Sequence, residues 1–111
     1  MTREPTSSPA LPLDTAFELL TNAYRRHILY YFHDGETKIA TLDDLCKHLQ
    51  NTLDEDSSEH QIHLRLHHQH LPKLVDHNVL EYDVRSETVR YRGESRLEAL
   101  LVIARRLETT V

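Results

Sequence analysis

Apolar residues recur every three or four positions near the start of the chain, which predicts an amphipathic first helix. The helix should begin at Asp14 or Thr15, because Thr15 and Glu18 have the spacing of a capping box. Its buried stripe is expected to comprise Phe17, Leu20, Tyr24, His27, Ile28 and Tyr31. A second apolar side, wider than one small core needs, carries Leu19, Ala23 and Tyr30.

A second helix is predicted to follow a short strand at residues 38–40. Thr41 is the expected N-cap of this helix, and Asp44 stands at its third position. The inward positions, spaced at helical intervals, are Leu42, Leu45, Leu49 and Leu53.

A long third helix is predicted to begin at a capping box formed by Ser58 and Gln61. At about 100° per residue, the side expected to face the core carries Leu64, His67, Leu71, Leu74 and Val75. The opposite side, left free for a partner, carries Ile62, Arg65, Leu66, Gln69 and Lys73. Pro72 removes one backbone hydrogen bond, so a kink is expected between His68 and Lys73.

After Asn78 the apolar period shortens to two, which predicts a β-hairpin. Apolar positions on one face of the hairpin are Leu80, Tyr82, Val84, Val89 and Tyr91. Polar residues alternate with them, and Arg90 and Arg92 make the second strand basic. The polar segment at residues 85–88 is short enough for the turn.

A last helix is predicted from the capping box of Ser95 and Glu98. Its apolar stripe has the spacing of a coiled-coil seam and comprises Leu97, Leu100, Leu101, Ala104 and Leu107. Because the first and last helices carry more apolar surface than one core can cover, they are expected to pair with a second copy of the chain. The expected dimer contacts are Leu19, Ala23, Tyr30, Leu97, Leu100, Leu101 and Ala104.

This order of elements predicts a mainly α fold with a small β-hairpin (α+β), arranged as a winged helix-turn-helix in residues 13–111 after a disordered tail at residues 1–12. Residues 68–74 and 76–83 resemble the recognition helix and first wing strand of small winged-helix domains of halophilic archaea, and more distantly ArsR-type transcriptional repressors. Residues 13–20 and 22–31 are similar to the first helix of that family. Asn78 stands where the ArsR pattern has Gly, and Asn tolerates the left-handed region.

The resemblance implies a sequence-specific regulator of transcription that binds double-stranded DNA as a homodimer. Arg65, Gln69 and Lys73 are the expected base readers, and the expected wing contacts to the backbone or minor groove are Arg85, Arg90 and Arg92. A different class is a winged-helix protein-interaction module without DNA binding. The acidic total charge and the apolar Ile62 and Leu66 on the predicted outer face favour this second class.

Charge and composition indicate the number of domains and the cellular location to expect. The 111 residues suit one domain, and 13 Lys and Arg against 18 Asp and Glu leave a net charge of −5. Residues 61–92 nevertheless carry five cations against four carboxylates, a net charge of +1. The single Cys46 excludes an internal disulfide, and no apolar run is long enough for a bilayer. A cytoplasmic protein without membrane association is expected.

Six of the nine histidines lie in the long helix or just after it, which raises the possibility of a metal-sensing repressor. His63 and His67 have the i,i+4 spacing of a shared ligand pair, and His70 extends their side. No Asp, Glu or Cys lies between His63 and His70, so structural or DNA-facing histidines are preferred and no cofactor is expected. The chain has no phosphate loop or nucleophile elbow, so an enzyme is not expected. A small-molecule effector is left open.

Overall fold

The computed structural model describes residues 10–109, which form a mixed α+β fold of helices around one short antiparallel sheet. The α-helices of these residues are α1 (Leu13–Leu19), α2 (Ala23–Asp34), α3 (Leu42–Thr52), α4 (Glu59–Arg65), α5 (Leu71–Asp76) and α6 (Ser95–Thr109). The strands are β1 (Ile39–Thr41), β2 (Leu80–Asp83) and β3 (Thr88–Tyr91). No helix in this part of the chain is long and apolar enough to cross a membrane.

The sheet has the strand order β1-β3-β2, so the predicted hairpin and the predicted strand before the second helix are confirmed. Leu80, Val89 and Tyr91 are buried on the inner face, as their alternation predicts. Val84 is the exception, since it lies in the turn beyond β2 and is 59% exposed. Asn78 has φ 62°, the left-handed conformation expected of it.

The predicted first helix is in fact two helices. The side chain of Asn22 accepts hydrogen bonds from the backbone N–H groups of Tyr24 and Arg25, and so caps α2. Asn is a strong N-cap residue because its side chain competes with helical hydrogen bonds, so the chain turns before Asn22 instead of continuing as a helix. The predicted single stripe is therefore wrong at Phe17, which is 51% exposed on α1.

The start of the domain and the start of α6 hold each other in place. Leu11 is buried, donates its N–H to the Glu94 carboxylate and accepts a hydrogen bond from Arg96 through its carbonyl. Residues 10–12 thus belong to the folded domain and not to a tail; the rest of the predicted tail lies outside the described residues. Glu94, and not Ser95, caps α6, because its side chain accepts the N–H of Leu97.

The helix α3 forms as its sequence predicts. Thr41 and Asp44 form a reciprocal capping box, and Leu42, Leu45 and Leu49 are buried. This helix packs against both α2 and α4, so it supports the helix that follows it.

Candidate functional site

The long third helix is continuous but not regular. It begins at the capping box of Ser58 and Gln61, runs through α4, passes through a π-helical turn at Leu66–His70 and ends in α5. In this turn the N–H of Leu71 bonds to the carbonyl of Leu66, five residues back instead of four. Pro72 follows immediately; its ring would crowd the carbonyl four residues before it in a regular α-helix. The distortion expected near Pro72 thus takes the form of a wider turn.

The π turn changes which side of α4 faces the core. Ile62 and Leu66 are fully buried, whereas Leu64 is 42% exposed, so the predicted faces of α4 are wrong. The prediction assumed that the regular α-helical period of Leu71 and Leu74 extends back through α4. Leu71 and Leu74 themselves are buried as expected. A π turn contains one residue more than an α-helical turn. The buried positions of α4 are therefore offset by about one residue from those of a regular helix that continues into α5.

The outward side of this helix is polar and rich in histidine and glutamine. Exposed side chains lie in two rows four residues apart along α4 and the π turn. One row consists of His60, Leu64 and His68, and the other of Gln61, Arg65 and Gln69. We call these six residues the polar face. It contains one cation, Arg65.

The three residues predicted to read DNA bases differ in whether their side chains already form hydrogen bonds or ion pairs within the chain. Arg65 donates to the Asp54 carboxylate at 3.0 Å and to the Tyr24 hydroxyl at 2.8 Å. Lys73 pairs with Glu18 of α1 at 3.0 Å, and this contact lowers the pKa of the Glu18 carboxyl. Gln69 is exposed and has no hydrogen-bond partner among residues 10–109. Both predicted cations are thus engaged within the chain.

The wing carries its arginines on the outward face of the sheet. Glu81 of β2 stands opposite Arg90 of β3 and forms ion pairs with both Arg90 and Arg92. Arg85 lies in the turn, where it is exposed and has no ion pair within the described chain. The Asp83 side chain holds this turn by accepting the N–H groups of Arg85 and Ser86. Arg85 is therefore the wing cation best placed to meet an external anion.

The histidines beside the polar face contact the wing. His63 lies 3.8 Å from the Glu87 carboxylate, and His67 Nδ1 lies 3.1 Å from the Tyr82 hydroxyl. The rings of His63 and His67 are 6.4 Å apart, and those of His67 and His68 are 4.8 Å apart. Within residues 10–109 no group of three His, Cys, Asp or Glu side chains is arranged to hold a metal ion.

One histidine of the long helix is buried against an arginine. Arg25 of α2 donates to the carbonyls of Leu19 and Glu18 at the end of α1, and its Nη1 lies 3.4 Å from His70 Nδ1. Burial lowers the pKa of the His70 imidazole to about 4, and the Arg25 guanidinium acts in the same direction. A neutral His70 accepts from Arg25. The two residues are 45 positions apart, and no local pattern predicts their contact.

Cys46 is buried on the inner side of α3, near the cleft that His60 and His63 line. Burial raises the pKa of its thiol to about 11, so very little thiolate forms at neutral pH. Cys46 is therefore a packed side chain of the core.

The predicted dimer contacts lie mostly inside the chain. Leu19, Tyr30, Leu97 and Leu101 are fully or almost fully buried, so the prediction that they face a second copy is wrong. The reason is that α6 packs on both α1 and α2 and covers them. The remaining predicted contacts are partly buried; they are Ala23, Leu100 and Ala104.

The other side of α6 is apolar and exposed. Ile103 is 57% exposed and Leu107 is 69% exposed, and Val102 of the same helix is 51% exposed. Phe17 of α1 continues this surface, because a groove between the two helices is lined by Phe17, Ile103 and Leu107. Leu13 adds a further exposed apolar side chain on α1. We call these five residues the apolar face.

Comparison with known proteins identifies a family. A family model described as a domain of unknown function (DUF7344) matches residues 17–90, which run from α1 to β3 and include the polar face and the wing. No curated protein and no solved structure matches the chain significantly. Because the matched residues make up more than half of the chain, the protein belongs to the family of the domain of unknown function DUF7344.

Proposed function

We propose that the protein is a sequence-specific regulator of transcription that binds double-stranded DNA as a homodimer. The carrying observation is the juxtaposition of the polar face with the wing. The helix that bears the polar face buries its inner side on α3 and the sheet, and it is followed at once by a hairpin with an arginine-bearing outward face. A helix followed by such a hairpin is the arrangement in which winged helix-turn-helix domains insert a recognition helix into the major groove.

Base reading is assigned to the polar face. The free amide of Gln69 can donate to and accept from adenine, and the Arg65 guanidinium can bond guanine through two donors. Arg65 must exchange its contact with Asp54 for the base edge, so part of its gain on binding is offset by the lost ion pair. Gln69 has no such contact to lose, which makes it the stronger candidate reader.

Phosphate contacts are assigned to the wing. Arg85 is exposed and unpaired within the described chain, whereas Arg90 and Arg92 share Glu81. Each cation that neutralises a phosphate releases a condensed counterion, and this release strengthens binding at low salt. Arg85 should therefore contribute more to the salt dependence than either of its neighbours.

Dimer formation is assigned to the apolar face. Exposed apolar residues that cluster on neighbouring helices are a common sign of an interface, since monomers rarely expose such patches to water. A symmetric pair would use the same face of both copies and would present two polar faces to one duplex. The chain's acidic total is compatible with this proposal because the carboxylate excess lies outside residues 61–92.

The test is a titration of the protein with labelled genomic fragments and with random duplex across a range of salt concentrations. Arg85→Ala should weaken binding to any duplex and reduce the slope of log affinity against log salt by about one. Gln69→Ala should cost roughly 1–3 kcal/mol on a preferred fragment and little on random duplex. Arg105→Ala, on α6 and paired with Asp34, is the matched control and should leave the slope unchanged.

The interaction module without DNA binding is the competing function. The apolar residues that favoured this function no longer do so, because Ile62 and Leu66 are buried and cannot contact a partner. Its remaining support is the acidic total charge and the internal pairing of Arg65 and Lys73. Absence of any salt-dependent affinity for duplex, in a protein that is folded, would replace the DNA proposal with this one.

A further inference from the structure

The helix that bears the polar face has no net charge of its own while its histidines are neutral. Residues 59–76 contain two cations, Arg65 and Lys73, and two carboxylates, Glu59 and Asp76. Both cations are already paired, with Asp54 and with Glu18. A neutral surface of this kind has little attraction for a phosphate backbone, so the helix needs another source of positive charge to bind DNA tightly.

The histidines can supply that charge. Histidine is the side chain that ordinarily changes charge between about pH 5 and about pH 8. Of the five histidines in residues 59–76, His60 and His68 are exposed and His63 and His67 are half-buried. Only His70 is enclosed, against Arg25. Four imidazoles on or beside the polar face are therefore accessible to protons and to a bound anion.

The neighbours of these imidazoles are mostly acceptors or carboxylates. His60 and His63 share a cleft with Asp43 and Cys46 of α3 and with Glu59 of their own helix, and His63 also faces Glu87 of the wing.

His67 faces the hydroxyl of Tyr82 on β2 and the rings of His63 and His68. His68 contacts only the ring of His67 among the aromatic and charged groups of the described chain. The cation on the polar face, Arg65, is held by Asp54 and Tyr24. A phosphate bound beside an imidazole favours the protonated form of the ring.

We propose that DNA binding by the polar face is coupled to proton uptake by His60, His63 and His68, so that affinity for duplex rises as the pH falls from about 8 to about 6. The inference rests on the proposed function and names how that site is regulated. Each imidazolium adds a cation opposite the phosphates and releases a further counterion. By linkage, each proton taken up on binding changes the affinity by about tenfold per pH unit. His67 is left out because its ring is already bonded to Tyr82.

The experiment is the duplex titration repeated at about pH 6, about pH 7 and about pH 8, at several salt concentrations, with far-UV circular dichroism at each pH to check folding. The expected result is an affinity at least about tenfold higher at the lowest pH, with a steeper salt dependence there. The triple variant His60→Gln, His63→Gln and His68→Gln keeps polar side chains that cannot titrate. It should lose this gain, so that its affinity for duplex is the same at all three pH values, whatever its absolute affinity.

His33→Gln is the matched control, since His33 is exposed at the end of α2. This variant should keep the full pH dependence. The proposal is overturned if the unmutated protein binds duplex with equal affinity at all three pH values, or if the triple variant keeps the gain. Absence of duplex binding at every pH would contradict the proposed function as well. Duplex binding whose affinity is independent of pH would contradict the proton coupling alone.

Discussion

The polar face and the apolar face differ in what their exposed side chains can do in water. The polar face carries imidazoles, amides and one guanidinium, with Leu64 as its single apolar member. The apolar face carries five large hydrophobic side chains, including Ile103 and Leu107. Both lie on helices whose inner sides are fully packed, so neither face is needed for the core. The difference indicates that one outer side is suited to a hydrated, charged partner and the other to an apolar one.

The two faces also differ in their relation to the family. The match to the family model covers the polar face and the wing but ends before α6. The core inside the matched residues is nevertheless closed by α6, through the buried Leu97 and Leu101. The inner side of α6 thus completes the core of the matched residues, although the whole of α6 lies beyond the match.

The largest expected effect tests which side of α4 faces outward. Leu66→Ala removes a fully buried side chain and should lower the free energy of unfolding by about 2–5 kcal/mol. Leu64→Ala, on the polar face, should change it by less than about 0.5 kcal/mol. Urea denaturation followed by circular dichroism measures both. Equal losses of unfolding free energy in the two variants would mean that Leu64 does not lie on the outward side of α4.

The apolar face can be broken without touching the core. Ile103→Glu combined with Leu107→Glu places two charges in the proposed dimer contact and should weaken self-association by at least about a hundredfold. Light scattering should then give the mass of one chain, with the fold retained. Val84→Glu is the control, because Val84 is equally exposed but lies in the wing turn. Leu101→Glu should instead unfold the chain, since Leu101 is buried. An unmutated protein that is monomeric at micromolar concentration would contradict the dimer.

The buried His70 should make the stability of the fold depend on pH. The pKa of His70 falls from about 6.5 when unfolded to about 4 when folded, so the unfolded chain binds more protons between these values. The stability that neutral His70 contributes is therefore complete above about pH 6.5, and roughly 3 kcal/mol of it is lost as the pH falls toward about 4.

The comparison variant for that effect is His70→Gln, which should flatten the loss of stability over this pH range. His68→Gln, on the polar face, should leave the loss unchanged. Burial also lowers the pKa values of His27 and His48, so a smaller decline should persist in every variant. A full decline in His70→Gln would assign the effect to other groups.

The smallest effect is expected at the thiol beside the polar face. Burial raises the pKa of Cys46 to about 11, so a thiol reagent should label the native protein far more slowly than the urea-unfolded chain. Cys46→Ala should leave duplex affinity unchanged, because the thiol is buried and unreactive. Rapid labelling of the native protein would mean that the thiol is accessible and reactive, and a loss of affinity would mean that it contributes to duplex binding.

Local structure follows from the sequence wherever neighbouring residues decide it. The capping boxes of Thr41 with Asp44 and of Ser58 with Gln61 form as predicted, because each joins atoms within one helical turn. The hairpin and the left-handed Asn78 also follow from short-range patterns. These features place the long helix and the wing in order along the chain.

The tertiary structure decides which sides of those elements are covered. A period of apolar residues predicts that a helix has a buried side, but it does not identify which side is buried. A single π turn before Pro72 buries Leu66 in place of Leu64. The same holds for α6, where two apolar stripes compete and only packing on α1 and α2 selects the one with Leu97 and Leu101. Contacts between distant residues are absent from any local pattern, so Arg25 meets His70 only in the folded chain.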